Sequence, residues 1–214
     1  MSEHNPLLIR LGQRLLTKQT IIQGIESVPK SGPFIIAGNH AGFLDAPALS
    51  AVILNQTGQL PKFPTTPWIW RALSRLLGQK RTLALGVLPI EATHPGAVLD
   101  AAQRHLMSGG IIGIFPEGRR NKSDTLLTGK TGAVRLALAT HAPIIPVGVD
   151  AGHGGWLDLL IGVIIRRPIR VSIGQPLYFT QPESTPLTKP QLEQLTDEVM
   201  RAISKISGKR FRPR

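Results

Sequence analysis

Short apolar runs alternate along this chain with stretches that carry apolar residues at helical spacing, and that alternation constrains the fold more than any other feature. Residues 34–37, 111–115 and 144–149 are strand candidates, and the helical pattern recurs at 46–54, 95–107 and 132–141. Further strand candidates stand at 21–28, 83–90, 159–165 and 169–173, with further helices at 68–77 and 189–206. Strands separated by helices of about ten residues build a mixed, largely parallel sheet flanked by helices on both faces. The expectation is a single α/β domain, which suits 214 residues. In such folds functional groups gather at strand ends and in the loops that follow them.

Two of those strand ends are rich in chemistry. The first run leads into Asn39-His40-Ala41-Gly42-Phe43-Leu44-Asp45. This order places His40 at the carboxyl edge of the sheet and Asp45 at the start of the next helix, where the chain turns back and the two side chains can meet. A carboxylate bonded to one ring nitrogen fixes the tautomer and leaves the other nitrogen as a general base, which is useful when the nucleophile is a substrate hydroxyl. The plainer reading is a histidine that merely hydrogen-bonds its neighbour.

The run at 111–115 leads into Phe115-Pro116-Glu117-Gly118-Arg119-Arg120, expected on the same edge. Arg119 and Arg120 offer forked donors beside a glycine that lets the backbone approach a ligand, an arrangement suited to a phosphate monoester. A solvated basic loop is the alternative. Glu117 can accept from a substrate hydroxyl or orient an arginine. Pro143 and Pro146 lie in the stretch at 142–149. Proline donates nothing to a sheet ladder, so they mark either a shaped strand lining a pocket or an edge strand.

Charge points to partners rather than to fold. Lys and Arg number 25 against 13 Asp and Glu, a formal charge of +12 that favours nucleic acid, an anionic membrane surface or a phosphorylated substrate. One Tyr and six Phe, with no aromatic-and-basic motif, argue against nucleic acid, so a basic nucleic-acid-binding protein is the remote alternative. Cysteine is absent, which excludes thiolate nucleophiles and zinc-thiolate sites. His94, His105, His141 and His153 form no i, i+4 pair, so no metal is expected. Thr128-Gly129-Lys130-Thr131 is not a phosphate loop of the nucleotide-binding kind, because Asp124 occupies the position that needs glycine. No cofactor is expected.

Residues 6–18 carry Leu7, Leu8, Leu11 and Leu15 on one helical face with Arg10, Arg14 and Lys18 on others, an amphipathic pattern for packing on the domain or lying on anionic lipid. No run approaches the roughly 20 apolar residues of a membrane span, and nothing reads as a cleaved signal peptide. The organisation expected is an N-terminal basic helix over 1–20, a domain over 21–208 and a basic tail over 209–214 of disordered composition. The expected location is the cytoplasm, peripheral to the inner face of the cell membrane.

Taken in order, these motifs resemble the glycerolipid acyltransferases typified by bacterial 1-acylglycerol-3-phosphate acyltransferase, over roughly residues 21–180. NHAGFLD looks like the first block, NHxxxxD; FPEGRR is similar to the third, FPEGTRS; and APIIPVGV is similar to the fourth. The stretch at 129–137, GKTGAVRLA, looks like the family's basic-Gly-Ala helix start, and IGQPL at 173–177 like its late strand end. The resemblance implies a glycerol-3-phosphate acyltransferase-like fold. It also implies transfer of an acyl group from acyl-CoA or acyl carrier protein to the hydroxyl of a lysophospholipid, with His40 and Asp45 catalytic. Glu117, Gly118, Arg119 and Arg120 are then expected to bind the acceptor phosphate, and Asn39, Arg81, Phe115, Lys130 and Pro146 are further substrate-binding candidates. The second block carries alanine at position 92 where the family has arginine. That leaves Arg81, Lys80 and Arg120 to replace it, and glycerol-3-phosphate, a lyso-ornithine lipid or a glycolipid as alternative acceptors.

Overall fold

The computed structural model describes residues 17–65, 67–83, 85–89, 96–151, 168–180 and 187–214. Its strands are β1 Thr20–Gln23, β2 Phe34–Gly38, β3 Phe63–Thr65, β4 Val87–Pro89, β5 Ile111–Ile114, β6 Ile144–Asp150 and β7 Ile169–Ile173. The helices are α1 Asp45–Thr57, α2 Pro67–Leu77, α3 Gln79–Leu83, α4 Ala97–Met107, α5 Gly132–Thr140 and α6 Lys189–Ser207. The main sheet has the order β1-β7-β6-β2-β5. Among the described residues β6 and β7 are its one antiparallel strand pair, and β2 lies parallel between β5 and β6.

Every residue of β2 is buried, because both faces of the sheet are covered. Side chains alternate across a strand. Phe34 and Ile36 therefore join Leu49, Val52 and Ile53 of α1 in one cluster. Ile35 and Ala37 point the other way, to Leu106 of α4, Leu136 of α5 and Met200 of α6. Each large apolar side chain buried in this way contributes about 1.5–3 kcal/mol. The result is a parallel pair, β2 and the terminal strand β5, whose carboxyl ends lie side by side.

The structure departs from the sequence reading at several points. The strand expected over 21–28 ends at Gln23, because Gly24 turns with φ 75° into a short 3-10 turn at Ile25–Ser27. The strand expected over 83–90 shrinks to β4, which pairs with the unforeseen β3 in a small separate sheet. Pro146 is neither in an edge strand nor at a strand end: it lies inside β6, paired in register with Ala37. Its carbonyl accepts from Gly174 N at 2.9 Å, one residue beyond the end of β7, so its missing N–H faces the place where the ladder stops.

The tail expected to be disordered is fastened to the domain. Arg210 exchanges backbone hydrogen bonds with Asp124 and Leu126, Lys209 Nζ donates to Ser123 O, and Phe211 packs on the core. Local composition could not reveal partners that lie far back in the chain. Most of the expected helix over 6–18, the strand candidate at 159–165 and the second-block residues at 90–92 lie outside the described residues.

Candidate active site

His40 follows the last residues of β2, and Asp45 is the first residue of α1. The intervening turn folds the carboxylate back beneath the imidazole: His40 Nδ1 lies 2.8 Å from Asp45 Oδ2. The same oxygen accepts from the backbone N–H groups of Ala41 at 2.7 Å and Gly42 at 2.8 Å. Asp45 is wholly buried, whereas the His40 side chain keeps 22% exposure. An ionised carboxylate can only accept, so Nδ1 carries the proton and Nε2 is left with its lone pair. The ring is held from the side as well, stacked on Phe115 with centroids 4.1 Å apart and planes 11° apart. Phe115 in turn stacks on Phe63 at 5.6 Å, and Gly113 makes room for the Phe63 ring, which a Cβ would strike.

Asn39 does not face this opening. It is buried, and its amide donates to Val149 O at 2.9 Å and accepts from Val149 N at 2.8 Å. A side chain thus continues the β2–β6 pairing just where the backbone leaves the sheet, which fixes the point from which His40 departs.

Glu117 is the second junction. It is 5% exposed, and its oxygens accept from His40 N at 3.2 Å, Asn121 Nδ2 at 2.7 Å and Leu127 N at 3.0 Å. Asn121 N closes the loop by donating to His40 O at 2.6 Å. Both Glu117 oxygens are therefore taken up by the protein, and among the described residues no arginine is a partner. Asn121 is a site residue that the motifs alone do not mark. Its position just after the Glu-Gly-Arg-Arg run was the available signal.

Arg119 and Arg120 are exposed and diverge. The Arg120 guanidinium lies over the Phe43 ring at 4.1 Å, on the same loop as His40. Arg119 instead lines a cleft of about 480 Å³ together with Lys130, Arg135, Lys189, Arg214 and Glu117. Gly118 has φ 69°, and a Cβ there would meet the end of the Lys130 side chain, so this glycine serves both the turn and the close approach of a cation. Among the described residues neither Arg119 nor Arg120 forms an ion pair with a carboxylate, which leaves both free for an external anion. Arg81 sits exposed on α3, and among the described residues no hydrogen bond or ion pair ties it to the His40 loop. Pro146 lies in the sheet interior. Among the described residues, no three His, Asp or Glu side chains come together as ligands for a metal ion.

Fold and site together define an α/β protein with a carboxylate-oriented, solvent-reaching histidine beside unpaired guanidinium groups. A sequence model of the Acyltransferase family matches residues 19–150, more than half of the chain, and the chain belongs to that family. It is 30% identical over 165 residues to the chloroplastic 1-acyl-sn-glycerol-3-phosphate acyltransferase of Brassica napus, covering 75% of this chain and 45% of that one. The chain thus spans about half the length of this plant relative. A nearer match in size is the 1-acyl-sn-glycerol-3-phosphate acyltransferase of Bacillus subtilis, 26% identical over 188 residues, 86% of each chain. Among solved structures, the 1-acyl-sn-glycerophosphate acyltransferase of Thermotoga maritima superposes with a TM-score of 0.60, covering 94% of this chain and 80% of the other. At 20% identity that match speaks for the fold.

Proposed function

We propose that this protein transfers an acyl group from a thioester, acyl-CoA or acyl carrier protein, to the free hydroxyl of lysophosphatidic acid, forming phosphatidic acid. The observation that carries this reading is the His40–Asp45 contact at 2.8 Å in a site that needs no nucleophile of its own. The substrate supplies the attacking oxygen. The names of the plant and Bacillus relatives support lysophosphatidic acid as the acceptor.

In the proposed reaction the acceptor hydroxyl approaches His40 Nε2, which takes its proton as the oxygen attacks the thioester carbonyl. Asp45 offsets the charge that the ring acquires and orients it by hydrogen bonding, while Phe115 stacks on its face. Collapse of the tetrahedral intermediate breaks the C–S bond, and the imidazolium returns its proton to the leaving thiolate. General base catalysis of this kind contributes about 10² to 10⁴-fold; holding the two substrates together and stabilising the oxyanion supply the remainder. Arg120 and Arg119 are assigned to the acceptor phosphate, with Gly118 shaping the turn that carries them, and Glu117 supports that loop. The domain limits, with an N-terminal helix over 1–20 and a tail from 209, are part of the same proposal, as is peripheral attachment to an anionic membrane. Among the described residues no helix is long and apolar enough to cross a membrane.

The test is thiol release from an acyl thioester against a panel of acceptors. Lysophosphatidic acid should be consumed fastest. Faster turnover of glycerol-3-phosphate, a lyso-ornithine lipid or a glycolipid would move the acceptor assignment, and no release with any acceptor would overturn the reading.

A further inference from the structure

Helix α2 turns an apolar stripe to solvent. None of its residues is buried. Trp68 is 63% exposed and Leu76 79%; with Ala72 between them they recur every fourth residue and so share one line along the helix. Arg71 and Arg75, also four apart and exposed, border that line, and the exposed Lys80 and Arg81 follow on α3. Leu83 and Leu85, 39% and 37% exposed, come next in the chain. Between Asp45 and Glu91 there is no acidic residue at all.

This surface is placed at the edge where His40 opens. Lys62, just before β3, bridges in parallel to Ile112 of β5, so β3 runs toward the same carboxyl edge as β5. Helix α2 begins at Pro67, just past the end of β3, whose Phe63 stacks on Phe115, which stacks on His40.

We infer that the α2–α3 surface docks on an anionic lipid bilayer, with Trp68 and Leu76 at the acyl boundary and Arg71, Arg75, Lys80 and Arg81 among the headgroups. The inference rests on the lysophospholipid reading and names the face through which the acceptor arrives. An apolar stripe bordered by cations of a single sign complements hydrocarbon beneath a plane of negative headgroups, and tryptophan suits that boundary. A second copy of this surface would instead bring like charges together. Docked in this way, the His40 edge faces the membrane and a lysophospholipid need only rise partway out of the leaflet.

The full chain is sedimented with phosphatidylcholine vesicles, with and without phosphatidylglycerol. The variant Trp68→Ser/Leu76→Ser is expected to lose vesicle partitioning at least tenfold. Arg71→Gln/Arg75→Gln should weaken binding only where phosphatidylglycerol is present, and that difference should vanish in about 1 M salt, where the Debye length falls to about 3 Å. Both variants should keep wild-type turnover of a short-chain lysophospholipid that stays monomeric in water, and lose turnover of the same headgroup embedded in vesicles. Wild-type partitioning by Trp68→Ser/Leu76→Ser overturns the inference. So does a shift from dimer to monomer in that variant with vesicle binding unchanged, which would give the surface to a second copy. Absence of thiol release from any acceptor, with vesicle binding intact, would sink the acyl-transfer reading instead.

Discussion

The backbone N–H of His40 donates to Glu117 Oε1 at 3.2 Å, so the loop after β2 hangs on a carboxylate from the loop after β5. Glu117 also accepts from Asn121 and Leu127, and removing it leaves three donors without their acceptor in a largely buried place. Glu117→Ala should cost about 2–4 kcal/mol in denaturant unfolding and lower kcat more than it raises the acceptor KM. Glu117→Gln keeps one acceptor oxygen and should recover part of both. A Glu117→Ala protein with wild-type stability and kcat but a raised acceptor KM would make this residue a substrate ligand instead.

Asn39 carries a similar burden in the sheet. Its two hydrogen bonds to Val149 are buried, and Asn39→Ala leaves a backbone N–H and a C=O unpaired, which costs about 2–4 kcal/mol. Equilibrium unfolding measures it directly. Asn39→Asp keeps the acceptor but sets a second oxygen against the Val149 carbonyl in a buried place, so it should cost at least as much as alanine.

Arg120 and Arg119 should separate in kinetics. Arg120, held over Phe43 on the His40 loop, is expected to grip the acceptor phosphate, so Arg120→Ala should raise the acceptor KM about 10- to 100-fold, the worth of a charge-assisted hydrogen bond. Lysine should rescue it only weakly, since it lacks the planar fork. Phe43→Ala, which frees the guanidinium, should raise the same KM several-fold. Equal effects of Arg119→Ala and Arg120→Ala would show that the phosphate lies between the cleft and the loop.

The tail should act as a brace. Deleting residues 209–214 removes the hydrogen bonds that hold Ser123, Asp124 and Leu126, along with those Arg214 makes to Gly129 O and Asp197. The loop at 121–130 should then exchange its amide hydrogens faster and become open to proteolysis, while the β2–β5–β6 core keeps its protection.

Local spacing explains what could be read in advance. His40 and Asp45 are five residues apart across a strand-to-helix joint, so their meeting was a matter of short-range geometry. The alternation of strands and helices likewise announced a mixed sheet covered on both faces. Glu117 was visible as a residue but not as a junction, because its partners are at positions 40, 121 and 127 and only the parallel pairing of β2 with β5 brings them together. Asn39 looked like part of a site and serves the sheet, since its partner Val149 belongs to a strand more than a hundred residues away. Strand β3 escaped notice because Phe-Pro-Thr, at three residues, is too short to show a period. The tail misled for the opposite reason: its composition is that of a disordered segment, and its order comes from the backbone bonds of Arg210 and from Lys209, Phe211 and Arg214 side chains whose partners lie far back in the chain or in the core.

In the proposed reaction His40 is the base that takes the acceptor proton. The most direct measurement is thiol release from an acyl thioester with lysophosphatidic acid by His40→Ala, whose side chain is partly exposed and carries little of the core. Circular dichroism and melting should match the wild type while kcat falls about 10² to 10⁴-fold. Turnover within a few-fold of wild type, in a protein shown to be folded, would contradict the account.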